Sequence, residues 1–132
     1  MQCVSLSTVK EYFFMNIEEF RDYCLSKKYV TESFPFDEKT LVFKVANKMF
    51  ALSGLEHQPA TVNLKCNPER AIELREEFSD VIAGFHMNKK LWNTITIEGA
   101  IPTNLIKELV DHSYNLVVKG LTKKLQKELG FI

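Results

Sequence analysis

Residues 84–99, GFHMNKKLWNTITIEG, gather a histidine, two asparagines, two lysines and a tryptophan just ahead of a β-strand pattern. Three kinds of chemistry are open to such a group. His86 could move protons or hold a metal. Asn88, Lys89, Lys90 and Asn93 could hydrogen-bond an anion or a phosphate backbone, and Trp92 could stack on a planar ring. Which of these survives depends on partners elsewhere in the chain.

Metal and catalytic readings find few partners. His57, His86 and His112 have no histidine at i+3 or i+4, and Cys3, Cys24 and Cys66 form no CxxC pair. There is no GxSxG, no recognisable Cys–His setting, and no glycine-rich phosphate loop among five glycines. Glu76 and Glu77 fall on a helix surface and read as a solvated face. No catalytic residue, metal ligand or cofactor is expected, and the chain reads as a non-enzyme.

The elements that must position the stretch follow from periodicity. Asn16 caps a helix over 16–27, with Glu19 three residues on and Ile17, Phe20, Tyr23 and Cys24 on one side. Residues 31–36, TESFPF, form an edge strand, because Pro35 cannot donate to a central ladder. TLVFKVA (40–46) turns at Asn47-Lys48 into KMFALSG (48–54). In ATVNLKC (60–66), Ala60, Val62, Leu64 and Cys66 point inward while Thr61, Asn63 and Lys65 point outward. Asn67-Pro68-Glu69 starts a helix over 68–78 that buries Ala71, Ile72, Leu74 and Phe78. A short DVIAG connection leads to the opening stretch, whose strand sends Ile95 inward and Trp92, Thr94 and Thr96 outward. Pro102 opens the last long helix, striped by Leu105, Ile106, Leu109, Val110, Leu116 and Val117 and broken near Gly120. Lys119, Lys123 and Lys127 form one basic row only if the helix runs through that glycine.

Short hairpin links make the sheet mainly antiparallel with helices on one face, an α+β single domain. Residues 1–15 read as an N-terminal extension and 16–132 as the domain. Ten phenylalanines imply a filled core. The odd cysteine count and the absence of a signal-like N-terminus or an apolar run of about 18 residues fit a soluble, cytoplasmic protein.

The outward residues define a surface: Lys44, Asn63, Lys65, Asn88, Lys89, Lys90, Trp92 and Asn93. Lysines neutralise phosphate, asparagines hydrogen-bond phosphate or base edges, and the indole stacks. The competing reading is a plain solvated face in which Trp92 covers Ala46 or Ala51. Net charge is zero, yet residues 16–80 carry 9 basic and 12 acidic side chains while 84–132 carry 7 and 4, so the C-terminal third is mildly basic.

Three stretches, LVFKVANKMFAL (41–52), VNLKCNPERAIELRE (62–76) and GFHMNKKLWNTITIEG, closely resemble the MmcQ/YjbR family, and DHSYNLVVKGLTKKL (111–125) extends the likeness. The resemblance implies a CyaY-like, double-wing-like α+β domain with a DNA-binding role. Leu91 stands where the family often has His, and Phe85 where it has Tyr. The expectation is therefore a non-enzymatic nucleic-acid-binding domain for DNA. The alternative is a module holding an unidentified protein or a small anionic ligand, which calls for a concave pocket around Trp92 and His86 rather than an open basic groove.

Overall fold

A computed structural model describes residues 15–56, 58–84 and 87–132. The expected extension therefore lies outside the described residues except for Met15, which is fully buried. So do His57, Phe85 and His86.

The chain order is α1 (Ile17–Leu25), β1 (Val30–Ser33), β2 (Thr40–Val45), β3 (Lys48–Gly54), β4 (Thr61–Lys65), α2 (Pro68–Glu77), β5 (Val81–Ala83), β6 (Trp92–Thr96), α3 (Thr103–Lys119) and α4 (Lys123–Glu128). The strands form one antiparallel sheet in the order β1-β2-β3-β4-β6-β5. Helices α1, α2 and α3 bury side chains in the same core on one side of it.

Local chemistry sets the boundaries. Asn16 Oδ1 accepts from the Glu19 N–H at 2.8 Å and starts α1. Asn67 Oδ1 accepts from Glu69 N at 3.0 Å, ahead of a proline in the first turn of α2. Gly120 ends α3, and Thr122 caps a separate α4 through Leu125 N, so Lys119, Lys123 and Lys127 do not share one helix. β1 ends at Ser33, two residues before Pro35, leaving Phe34 and Phe36 exposed.

Three expectations change. The β2–β3 turn is centred on Ala46 and Asn47, one residue early, with φ of 47° and 70°. This left-handed pair matches the twist of a two-residue hairpin. DVIAG is not a bare connection but contains β5, a three-residue edge strand paired to β6. Ile72 is exposed rather than buried, because the buried line of α2 runs through Ala71 and Leu74 and Ile72 sits a quarter-turn away.

The core is aromatic at its centre. Phe20 meets Phe43 edge to face at 6.0 Å, and Phe50 meets Tyr114 at 5.4 Å. Pairing between β2 and β3 shifts register after Phe43. Through that bulge Phe50 and Ala51 both join the helix-side core, while Met49 and Leu52 turn to the other face. Ser113 Oγ then donates to Phe50 O at 2.5 Å and accepts from Lys65 N at 2.9 Å, pinning α3 to two strands.

Candidate functional site

The face of the sheet away from the helices is built rung by rung. Val42, Leu52, Asn63, Thr94 and Ile82 align across β2, β3, β4, β6 and β5, and Thr94 Oγ1 donates to Asn63 Oδ1. The next rungs place Lys44 opposite Met49 and Lys65 opposite Trp92. Lys44, Asn63 and Lys65 thus occupy the open face as their alternation dictates, each half-buried along its stem.

Trp92 is on that face but is not available for stacking. It is only 8% exposed and packs with Val42 and Leu52 under Met49, Met87 and Leu91. This small second core replaces the expected platform, and it also differs from the reading in which Trp92 covers Ala46 or Ala51, since Ala51 belongs to the helix side. Gly84 makes the packing possible: a Cβ there would lie 2.8 Å from Trp92 Cβ and 2.9 Å from its carbonyl oxygen.

Asn93 cannot be a surface contact. It pairs with Leu64 and Ala83, is 1% exposed, and lies on the helix side. There it accepts from Arg75 Nε at 2.7 Å and donates to Ala71 O at 3.4 Å. The same alternation that sends Trp92 and Thr94 outward requires this.

The remaining motif residues divide between structure and surface. Asn88 Oδ1 accepts from Lys90 N at 3.0 Å and Leu91 N at 3.3 Å, so its side chain builds the turn into β6. Lys89 Nζ donates to Gly84 O at 3.2 Å, and its carbonyl accepts from Arg75 at 2.5 Å. Lys90 is exposed, and among the described residues no carboxylate pairs with Lys44, Lys65 or Lys90.

A cleft of about 850 Å³ opens on this face. Leu52, Asn63 and Thr94 line it together with Met49, Met87, Ile82 and Phe36. Ile82 and Phe36 are 53% and 64% exposed, an unusual display of apolar surface beside a concavity. Asp37 folds the adjoining loop by accepting from Lys39 N at 2.8 Å and Thr40 N at 2.7 Å, and these backbone bonds, Lys39 first, hold its carboxyl below the usual range. Phe36, Asp37, Ile82 and Met49 are not among the sequence-derived site residues. Their only signal is that β5 and the loop after β1 must flank the outward rung.

Cys24, Cys66 and His112 lie away from this face and are packed into the fold. Burial raises the thiol pKa of Cys24 and of Cys66, which disfavours the thiolate. His112 Nε2 accepts from Asn67 N at 3.1 Å, and burial, aided by the nearby Arg70, lowers its pKa. Among the described residues no group of three His, Cys, Asp or Glu side chains is placed to hold a metal ion, and no helix is long and apolar enough to cross a membrane.

Against known proteins, the YjbR family model matches residues 25–116. The Escherichia coli K12 protein YjbR is 38% identical over 116 residues, covering 87% of this chain and 98% of its own. YyaQ of Bacillus subtilis is 36% identical over 76 residues, 58% of this chain and 63% of its own. A Deinococcus radiodurans crystal structure, described as a DUF419 domain, superposes with a TM-score of 0.84 at 41% identity over 89% of each chain. A Pseudomonas syringae crystal structure gives 0.68 at 26% identity, covering 77% of this chain and 98% of that one. With the family pattern running from the end of α1 into α3, the chain belongs to the YjbR family.

Proposed function

We propose that the chain is a non-enzymatic binding module that takes a small amphipathic anion on the open face of its sheet. The cleft carries this reading. At about 850 Å³ it falls within the range of roughly 300–1,000 Å³ common for small-ligand sites. Its apolar walls suit a planar or aliphatic body, and the Asn63 amide, its oxygen held by Thr94 Oγ1, offers an N–H donor at its floor. Among the described residues the one charged side chain lining the cleft is Asp37, whose carboxylate is occupied by the Lys39 and Thr40 N–H groups. Lys44 and Lys65 lie outside the lining, on the neighbouring rungs with Met49 and Trp92, and supply positive charge for an acidic group held at that end, away from Asp37. A concave apolar cleft is what the anion reading calls for, whereas a nucleic-acid platform wants the exposed aromatic that Trp92 does not provide.

Titrating 2-naphthalenesulfonate into isotope-labelled protein tests this. Saturable amide shifts at Leu52, Asn63 and Thr94 are expected. Absence of saturation, or shifts centred on the helix side, rejects the reading.

Nucleic acid is the second reading, favoured by Lys44, Lys65 and Lys90, which pair with no carboxylate among the described residues. Single-stranded DNA would place a base in the cleft and phosphates on the lysines. Labelled oligothymidylate titrated at two salt concentrations separates the readings, because each neutralised phosphate releases counterions and makes affinity fall with salt.

A further inference from the structure

The helix side of the sheet carries a second cavity, separate from the open-face cleft. It lies beside the start of α1 and the β1–β3 end of the sheet, with a volume of about 420 Å³. Ile17, Phe20, Leu41 and Phe43 wall it. Phe34 and Leu55 also line it while remaining 48% and 42% exposed. An apolar hollow alone says little about an occupant. The second observation is polar.

Ser53 lines this cavity from β3. It is 1% exposed and stands between Leu41 and Val62 on the helix side of the sheet. Its Oγ has no hydrogen-bond partner among the described residues. A buried hydroxyl without a partner is destabilising, and native proteins keep few of them. Alanine or valine would satisfy the strand without that penalty. The charged side chains at the rim do not reach this hydroxyl. Arg21 and Glu32 hold each other through bonds of 2.7 and 2.6 Å, and Glu18 adds a negative charge that repels anions.

We propose that this cavity is a binding site for a small uncharged molecule with a ring-sized apolar body and one carbonyl or hydroxyl group, which hydrogen-bonds Ser53 Oγ. The ring packs among Ile17, Phe34 and Leu55, the apolar lining side chains that keep exposed surface, above the buried edge-to-face pair of Phe20 and Phe43. The polar group meets the one buried side-chain oxygen left without a partner among the described residues. The site differs from the open-face cleft in both location and charge preference, so either can fail without the other.

The experiment uses 4-phenyl-2-butanone and its hydrocarbon counterpart n-butylbenzene, titrated into the full chain and into Ser53→Ala and followed by amide shifts. Saturable shifts at Leu41, Ser53 and Leu55 are expected for the ketone. Its affinity relative to butylbenzene should fall about three- to tenfold in Ser53→Ala, the worth of one neutral hydrogen bond. Because Ser53→Ala removes an unanswered polar group, it should fold at least as stably as the parent, which a thermal melt checks. No saturable shift, shifts confined to Asn63 and Thr94, or an unchanged ketone preference in Ser53→Ala overturns the proposal. Nuclear Overhauser contacts from residues 1–14 to Leu41 or Leu55 in the unliganded chain also overturn it, since they would assign the cavity to the chain's own N-terminal segment.

Discussion

Arg75 on α2 donates from Nε to Asn93 Oδ1 at 2.7 Å, fixing the strand that carries the family motif to the helix behind it. The asparagine is therefore a structural tie. Replacing it with alanine strips Arg75 and the Ala71 carbonyl of a partner inside a closed environment. Asn93→Ala should cost about 1–3 kcal/mol in urea unfolding, and Asn63→Ala, on the open face, less than about 1 kcal/mol. Equal costs would place Asn93 on the surface after all.

Trp92 separates a stacking platform from a packed one by stability alone. A surface indole can be truncated within about 0.5 kcal/mol. One that seals Val42 and Leu52 beneath Met49, Met87 and Leu91 cannot. Trp92→Ala should lose about 3–5 kcal/mol, read by circular dichroism during urea unfolding since the only tryptophan is gone. Trp92→Phe should recover more than half of that loss.

These two residues also mark how far the sequence alone reaches. The faces of β2, β4 and β6 follow from strict alternation, so Lys44, Asn63 and Lys65 are correctly placed, and the same parity already sends Asn93 inward. Whether Trp92 is covered is a tertiary question: it depends on Met49 crossing a bulge and on Met87 and Leu91 folding back. Local pattern carries no record of either. β5 is only three residues long, below the length at which alternation is readable, so the cleft wall at Ile82 stays hidden until the sheet is assembled.

Ser113 offers a test of how α3 is seated. Its hydroxyl serves the Lys65 N–H and the Phe50 carbonyl at once, and the residue is fully buried. Ser113→Ala leaves a donor and an acceptor unanswered next to the bulge. A loss of about 1–3 kcal/mol is expected, with faster amide hydrogen exchange at Lys65 than at Leu64. Unchanged exchange at Lys65 would show that the hydroxyl is dispensable.

His112 gives the pH dependence a sign. Its folded pKa is lowered, by burial first and Arg70 second, and its Nε2 must be unprotonated to accept from Asn67 N. The unfolded chain therefore binds a proton that the folded chain resists, so stability rises with pH through this group. Its contribution is complete above the unfolded value of about 6.5 and is lost as pH falls below it. Urea midpoints measured from about pH 7.5 to 5 should decline in the parent and decline less in His112→Gln. Parallel declines would remove His112 from the account.

Lys44 and Lys65 decide whether the open face is electropositive in function as well as in position. Both lie on the rungs that also hold Met49 and Trp92, and among the described residues neither has a carboxylate partner. Charge reversal there should weaken 2-naphthalenesulfonate binding by about 1 kcal/mol per site, roughly a fivefold rise in Kd, because each lysine is partly exposed and screened. Lys107→Glu on α3 should leave that Kd unchanged, since Lys107 sits over Tyr23 on the helix side. Raising salt should narrow the gap between parent and Lys44→Glu as the Debye length shrinks. Calorimetric titration of the parent, Lys44→Glu, Lys65→Glu and Lys107→Glu at two salt concentrations reads these outcomes. Equal affinity across them would leave the cleft as an apolar site in which the lysines take no part.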